Sequence, residues 1–89
     1  MRAIYQDGWI RVPYSGPELG VIEIGLGEDF PAWKPAFLQT VGTDRFAQVR
    51  PPDSALTEQP RVWLRINGAS TLIGRLVNQD ADARPRRRR

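Results

Sequence analysis

The side chains with the clearest chemical potential in this 89-residue sequence are its twelve arginines and three tryptophans. Five of the arginines crowd into residues 79–89, namely Arg84, Arg86, Arg87, Arg88 and Arg89. Two aspartates accompany them, so this segment carries the whole net charge of +3, while residues 1–78 balance eight basic against eight acidic side chains. A block of like charge repels itself and does not pack. The sequence therefore predicts a folded domain at 1–78 and a flexible basic tail at 79–89.

The arginine tail is suited to binding an anionic partner. Each guanidinium presents a planar fork of donors that matches carboxylate and phosphate groups, and binding through several of them weakens steeply with salt. We expect the five tail arginines to anchor the protein, either to an acidic neighbouring subunit or to nucleic acid. A solvated end that only aids solubility is the alternative, and the sequence leaves these interpretations open.

The side chains that most often perform catalysis are missing or scattered. The sequence has no histidine and no cysteine, which removes the usual zinc ligands, thiolate nucleophiles and the side chain that titrates near neutral pH. The acidic pair Glu28 and Asp29 lacks the roughly six oxygen ligands of a calcium site. Gly20, Gly25 and Gly27 lack the spacing of a phosphate-binding loop. We expect no enzymatic activity, no bound metal and no cofactor.

The elements that position these residues are predicted to be β-strands. Short segments with period-two alternation are separated by turn signals such as Asp7-Gly8, Gly42-Thr43-Asp44 and Asn67-Gly68. The predicted strands span 3–6, 9–14, 20–26, 36–41, 45–50, 61–66 and 71–77. About seven strands and no helix are typical of a single all-β domain, either an antiparallel β-sandwich or a small SH3-like or OB-like barrel, since both bury the same alternating faces.

The proline-rich segment 27–35 is predicted to be an ordered loop rather than a strand or helix. Pro31 and Pro35 each remove a backbone donor and restrict the residue before them. We expect Phe30 and Trp33 of this loop to cap the core. Residues 51–60, which also contain several prolines, are predicted to form an irregular connection.

Four residues are candidates for a protein interface: Trp9, Trp33, Trp63 and Arg65. Trp9, Trp63 and Arg65 alternate with the aliphatic stripes of their strands, so we expect one outer face to carry aromatic and guanidinium groups together. Protein interfaces are enriched in tryptophan and arginine. The same groups could stack on nucleic-acid bases, but the neutral domain lacks the basic groove of such proteins, and this favours a protein partner.

Several segments resemble small Ig-like proteins that are encoded among the structural genes of tailed phages infecting actinobacteria. Residues 60–66, Pro-Arg-Val-Trp-Leu-Arg-Ile, are similar to the V-W-V-R-V strand that precedes the final strand in those proteins. Residues 33–37 and 45–50 look like their tryptophan loop and the strand after it, and residues 9–13 look like their early strand ending in proline. The resemblance covers roughly residues 4–77.

The resemblance implies an Ig-like sandwich that is a non-enzymatic part of a virion, as a capsid accessory or decoration protein, a neck subunit or a tail subunit. Its implied partners are other virion proteins, in many copies within a symmetric assembly, with nucleic-acid contact by the tail as a further option. The implied location is the virion, after synthesis in the bacterial host cytoplasm. No apolar stretch approaches the roughly 20 residues that cross a membrane, so we expect no membrane partner. A small nucleic-acid-binding barrel and a phage-encoded inhibitor of a host protein are the alternative functions.

Overall fold

The computed structural model describes residues 2–16, 19–51 and 59–78, and in these ranges the chain forms nine β-strands and no helix. The strands are β1 (Ile4–Gln6), β2 (Trp9–Pro13), β3 (Ile22–Leu26), β4 (Ala32–Pro35), β5 (Phe37–Val41), β6 (Asp44–Val49), β7 (Arg61–Ile66), β8 (Ala69–Arg75) and β9 (Val77–Asn78). The predicted all-β class is confirmed. The predicted tail at 79–89 and most of the predicted connection at 51–60 lie outside the described residues.

The strands form two sheets that share one core. One sheet has five strands in the order β5-β6-β2-β1-β9, and the other has four in the order β4-β3-β7-β8. All described strand pairs are antiparallel except β1 with β9, which is parallel. Each hairpin stays within one sheet, and the chain changes sheet after β2, β4, β6 and β8. This arrangement is a β-sandwich, which decides between the two predicted architectures.

Two of the predicted hairpin turns have the backbone geometry that their sequences favour. Asp7 and Gly8 have φ angles of 55° and 85°, and Asn67 and Gly68 have 49° and 89°. Positive φ at both central positions matches the right-handed twist of the flanking strands. The third predicted turn is one residue shorter than expected, because Asp44 pairs with Val41 and leaves only Gly42 and Thr43 in the loop.

The core contains the aliphatic stripes predicted from alternation. Ile10 and Val12 of β2 are completely buried, and they meet Ile24 of β3 and Val62 of β7, which are equally inaccessible. Each such side chain stabilises the fold by about 1.5 to 3 kcal/mol relative to an exposed position. Because both sheets contribute to this core, the residues at alternate positions of every strand face outward.

The prediction of a loop throughout 27–35 is wrong in its second half, where residues Ala32–Pro35 form β4. β4 is an edge strand with β3 beside it. The backbone N–H that Pro35 lacks therefore leaves no second strand without a hydrogen-bond donor. Phe30 does not cap the core, because it is 94 % exposed in the loop that precedes β4. Trp33 is half-buried, but its position in β4 places it on the outer face of the four-stranded sheet.

Candidate protein-docking face

The structure brings together three of the four predicted interface residues. Trp33 of β4 and Trp63 and Arg65 of β7 lie on the outer face of the four-stranded sheet. Trp9 of β2 lies on the outer face of the five-stranded sheet. The expectation of one shared face is therefore wrong for Trp9. Alternation shows that a residue points away from the core, but it does not show to which sheet the strand belongs.

An apolar row crosses all four strands of this sheet. Gly25 of β3 lies directly opposite both Trp33 and Trp63, and Leu72 of β8 lies opposite Trp63 on the other side. Both indoles are half-buried, and Leu72 is 44 % exposed. We call the surface formed by Trp33, Trp63, Arg65 and Leu72 the aromatic face. Sequence analysis missed Leu72, because a single leucine in a strand is usually assigned to the core.

Gly25 is the position on β3 that leaves room for the Trp33 ring. A Cβ atom at this position would lie 2.8 Å from Cε3 of Trp33 and 2.7 Å from Cβ of Pro31. Both distances are shorter than any ordinary carbon contact, so a side chain here would displace the Trp33 ring. The missing side chain lets the Trp33 ring cover β3 itself.

The polar groups of the aromatic face are held in place by specific bonds. The indole Nε1 of Trp63 donates a hydrogen bond of 2.9 Å to the carbonyl oxygen of Gly27. The guanidinium of Arg65 lies 4.1 Å from the centre of the Trp33 ring, and its Nε donates to Oε1 of Glu23 at 2.8 Å. The hydrogen bond from Arg65 holds the pKa of Glu23 below its usual value. These contacts fix both rings before any partner binds.

A second ion-pair group lies at the end of this sheet beside the aromatic row. Arg75 of β8 donates to both carboxylate oxygens of Glu28, at 2.8 and 2.9 Å. Nε of Arg61 lies 3.6 Å from Oε1 of the same carboxylate. The hydrogen bonds from Arg75 lower the pKa of Glu28. The carboxylate of Glu28, whose neighbour Asp29 makes up the acidic pair of the sequence, is thus paired with arginine and not with a metal ligand set.

The outer face of the five-stranded sheet has a different construction. The side chain of Arg11 is only 10 % exposed, and it donates to the amide oxygens of Gln48 at 3.2 Å and Gln6 at 2.8 Å. Trp9 lies beneath the guanidinium of Arg50, 3.9 Å from the ring centre to Cζ. Nothing in the sequence signalled that Arg11 would be buried, because its partners come from β1 and β6.

Among residues 2–16, 19–51 and 59–78, no three His, Cys, Asp or Glu side chains gather as a metal site would require. The described residues also include no helix long and apolar enough to span a membrane. A surface depression near the β5–β6 turn is lined by Pro13, Tyr14, Ser15, Thr43, Asp44, Arg45 and Phe46. The residues that line this depression do not belong to the strands that form the aromatic face.

Comparison with known proteins adds no relative. The chain matches no protein-family model, no curated protein and no solved structure. The likeness of residues 60–66 and their companion segments to small Ig-like phage proteins therefore stays a prediction from the sequence, and the aromatic face is identified from its geometry.

Proposed function

We propose that this protein is a non-enzymatic structural subunit of a tailed-phage virion, which docks on other virion proteins through the aromatic face. The observation that carries the docking role is the row of Trp33, Gly25, Trp63 and Leu72 across an outer sheet face. The virion setting is supported by the resemblance of residues 60–66 and its companion segments to small phage structural proteins.

The composition of the aromatic face fits a protein interface. Interface hot spots are enriched in tryptophan and arginine, and they cluster at the centre of a patch with polar groups around it. Here the apolar row has the Arg65–Glu23 pair on one side and the group of Glu28 with Arg61 and Arg75 on the other. An apolar centre between two polar margins is therefore already present in the free subunit.

Preorganisation favours affinity at this face. A side chain that becomes ordered only on binding costs about 0.5 to 1.5 kcal/mol. The hydrogen bond from Trp63 to Gly27 and the stacking of Arg65 on Trp33 order both rings in the free protein. A partner therefore meets rings that are already in position.

Nucleic-acid binding by the aromatic face is less well supported. Proteins that stack single-stranded nucleic acid combine aromatic side chains with cations available to the phosphates. On this face Arg65 is bonded to Glu23, and Arg75 is bonded to Glu28. A phosphate would have to displace these carboxylates, whereas a protein partner can contact the apolar row without breaking either pair.

The tail arginines, Arg84 and Arg86 to Arg89, are assigned a second role in this proposal. They anchor the subunit to an acidic surface of the assembly after the aromatic face has docked. An inhibitor of a host protein would use the same face, so the location of the protein in the infected culture separates the two functions.

The proposal is tested on purified particles of the encoding phage. Mass spectrometry should detect the protein in many copies per particle, and its absence from particles would refute the virion role. Trp63→Ala should lower incorporation at least about tenfold, since truncation of a hot-spot residue costs about 2 kcal/mol or more. Trp9→Ala is the matched control, because Trp9 also stacks with an arginine but lies on the other sheet. Equal losses for both variants would refute docking through the aromatic face.

A further inference from the structure

The four sheet edges of the sandwich differ in how they are protected against pairing with another strand. β4 contains Lys34 and Pro35, and the β7–β8 ladder has a register shift at Val62/Trp63. Within the described residues β9 has two residues, which is too short to offer a template. Charges, prolines, bulges and short length are the devices by which proteins block open edges. Three of the four edges therefore carry such a device.

β5 carries none of these devices. Its five residues, Phe-Leu-Gln-Thr-Val, include no charge, proline or glycine, and they pair with β6 in unbroken register. Within the described residues no strand pairs with its other side. Phe37 is 64 % exposed and Val41 is 43 % exposed. An open edge with these properties is a ready template for strand addition.

The register of the β5–β6 hairpin shows which backbone groups are open. Val41 and Asp44 close the two-residue turn, so they form a hydrogen-bonded pair, and such pairs alternate along an antiparallel ladder. The N–H and C=O groups of Leu38 and Thr40 therefore point to the open edge. In the free chain the carbonyl oxygen of Thr40 accepts a 3.5 Å hydrogen bond from Nε2 of exposed Gln39, a side-chain contact that an added strand would replace.

We propose that β5 is a homodimerisation edge, to which β5 of a second copy adds antiparallel about a two-fold axis at Gln39. In this register Leu38 lies opposite Thr40 of the second copy, and Thr40 lies opposite Leu38 of that copy. These two pairs engage the open N–H and C=O groups of Leu38 and Thr40 in both copies. The two five-stranded sheets join into one continuous sheet of ten strands.

A second copy of this chain is the occupant that the strand itself favours. A two-fold axis brings every residue near it against its own copy, so a charge there would meet a like charge. β5 has no charge, and its register places exposed Phe37 opposite Val41 of the second copy. The two Phe37–Val41 pairs therefore bring exposed apolar side chains together, and no charge of β5 stands at the axis.

This inference goes beyond the docking function and does not depend on it. The pairing edge belongs to the five-stranded sheet, whereas the aromatic face belongs to the four-stranded sheet. A dimer would present two aromatic faces at once, and linked sites bind a repetitive assembly more tightly than single ones do. Loss of the dimer and loss of docking are separable because they respond to different substitutions.

The test is the mass of the full chain in solution across a range of concentrations. Sedimentation velocity should show a species of two 10.1 kDa chains that dissociates on dilution. Gln39→Lys places two positive charges at the axis and should raise the dimer dissociation constant at least about tenfold. Thr71→Lys is the matched control, because Thr71 is exposed on the β8 edge of the other sheet. Circular dichroism should show that both variants fold.

Amide hydrogen exchange provides a second measurement that needs no substitution. The Leu38 and Thr40 amides should gain protection as the concentration rises, while the already bonded amides of Gln39 and Val41 change little. A chain that is monomeric at all concentrations would overturn the proposal. A dimer that survives Gln39→Lys but is lost in Trp63→Ala would also overturn it, because it would place the contact on the aromatic face. Binding of a strand from another protein to β5, in a chain that does not self-associate, would overturn the proposal as well.

Discussion

The outer faces of the two sheets both combine tryptophan with arginine, but they hold their arginines differently. On the four-stranded sheet, Arg65 and Arg75 pair with glutamates and keep 28 % and 55 % of their side chains exposed. On the five-stranded sheet, Arg11 is 10 % exposed and donates hydrogen bonds to the neutral amides of Gln6 and Gln48, while the exposed carboxylate of Asp7 lies farther away, 3.9 Å from its Nη1. The first arrangement leaves charge-balanced groups available to a partner, whereas the second uses a guanidinium as an internal link between strands.

The burial of Arg11 shows that this guanidinium contacts its own sheet rather than the solvent. Its two acceptors belong to β1 and β6, so one guanidinium joins three adjacent strands of the five-stranded sheet. A buried charge is tolerated only when its donors are satisfied, and hydrogen bonds to charged groups contribute about 1.5 to 3 kcal/mol each. The same residue type therefore stabilises the fold on one face and shapes a surface on the other.

Removal of Arg11 is expected to have the largest effect on stability. Arg11→Ala leaves the amide oxygens of Gln6 and Gln48 without their donor and opens a space on the sheet. We expect the free energy of unfolding to fall by about 2 to 3 kcal/mol. Urea denaturation of the full chain measures this loss.

Arg65→Ala is the matched variant on the other face, because Arg65 also lies in the middle of its sheet. Its loss should be smaller, since water can solvate Glu23 once the partner is gone. Equal losses from Arg11→Ala and Arg65→Ala would contradict the contrast between an internal link and an accessible pair.

Acid should affect the two faces unequally, with a smaller effect than the Arg11 substitution. Hydrogen bonds from Arg65 and Arg75 lower the pKa values of Glu23 and Glu28 below the ordinary 4.5. A carboxylate with a lowered folded pKa stabilises the protein above its unfolded pKa, and this contribution is lost as the pH falls through the folded value. The amides that accept the hydrogen bonds of Arg11 do not titrate, and its one carboxylate contact in the described residues, with Asp7, is the longer one at 3.9 Å. The thermal midpoint should therefore decline below pH 4.5 as these glutamates become protonated.

The control for acid sensitivity is the double variant Glu23→Gln with Glu28→Gln. It should start from a lower thermal midpoint at neutral pH and lose less on acidification than the natural chain. Thermal unfolding followed by circular dichroism at several pH values compares the two proteins. An unchanged acid dependence would show that other carboxylates dominate it.

Deletion of residues 84–89 should have the smallest effect on the fold. The core and the described strands lie within residues 2–78, so we expect the thermal midpoint to stay within about 2 °C. Attachment to the partner should weaken, and its salt dependence should fall because five cationic side chains are removed. Loss of cooperative unfolding on deletion would show that the tail belongs to the fold.

Local sequence signals predicted much of the sandwich. The turns at Asp7-Gly8 and Asn67-Gly68 have the expected positive φ angles, and the stripe of Ile10 and Val12 is completely buried. The failures concern properties that depend on the neighbouring strands. Ala32–Pro35 is a strand because it lies at an edge where a missing donor is harmless, and no local pattern distinguishes an edge from the interior.

The candidate site was predicted in part for the same reason. Trp33, Trp63 and Arg65 were selected by residue type, and the structure places them on one surface. Leu72 was missed, and Trp9 was assigned to the wrong surface. Pairing between strands distant in the chain decides which outward residues become neighbours, and alternation within one strand does not contain that information.

The sequence by itself determined the all-β class, three of the hairpins and the inward or outward direction of most side chains, because these depend on residues close together in the chain. It also determined that the net charge of +3 lies in residues 79–89. Only the tertiary structure decided which sheet each tryptophan joins, which arginine is buried and which edge remains open. Those properties follow from contacts between distant strands, such as Gly25 with Trp33 and Trp63, whose energies arise only after both sheets have formed.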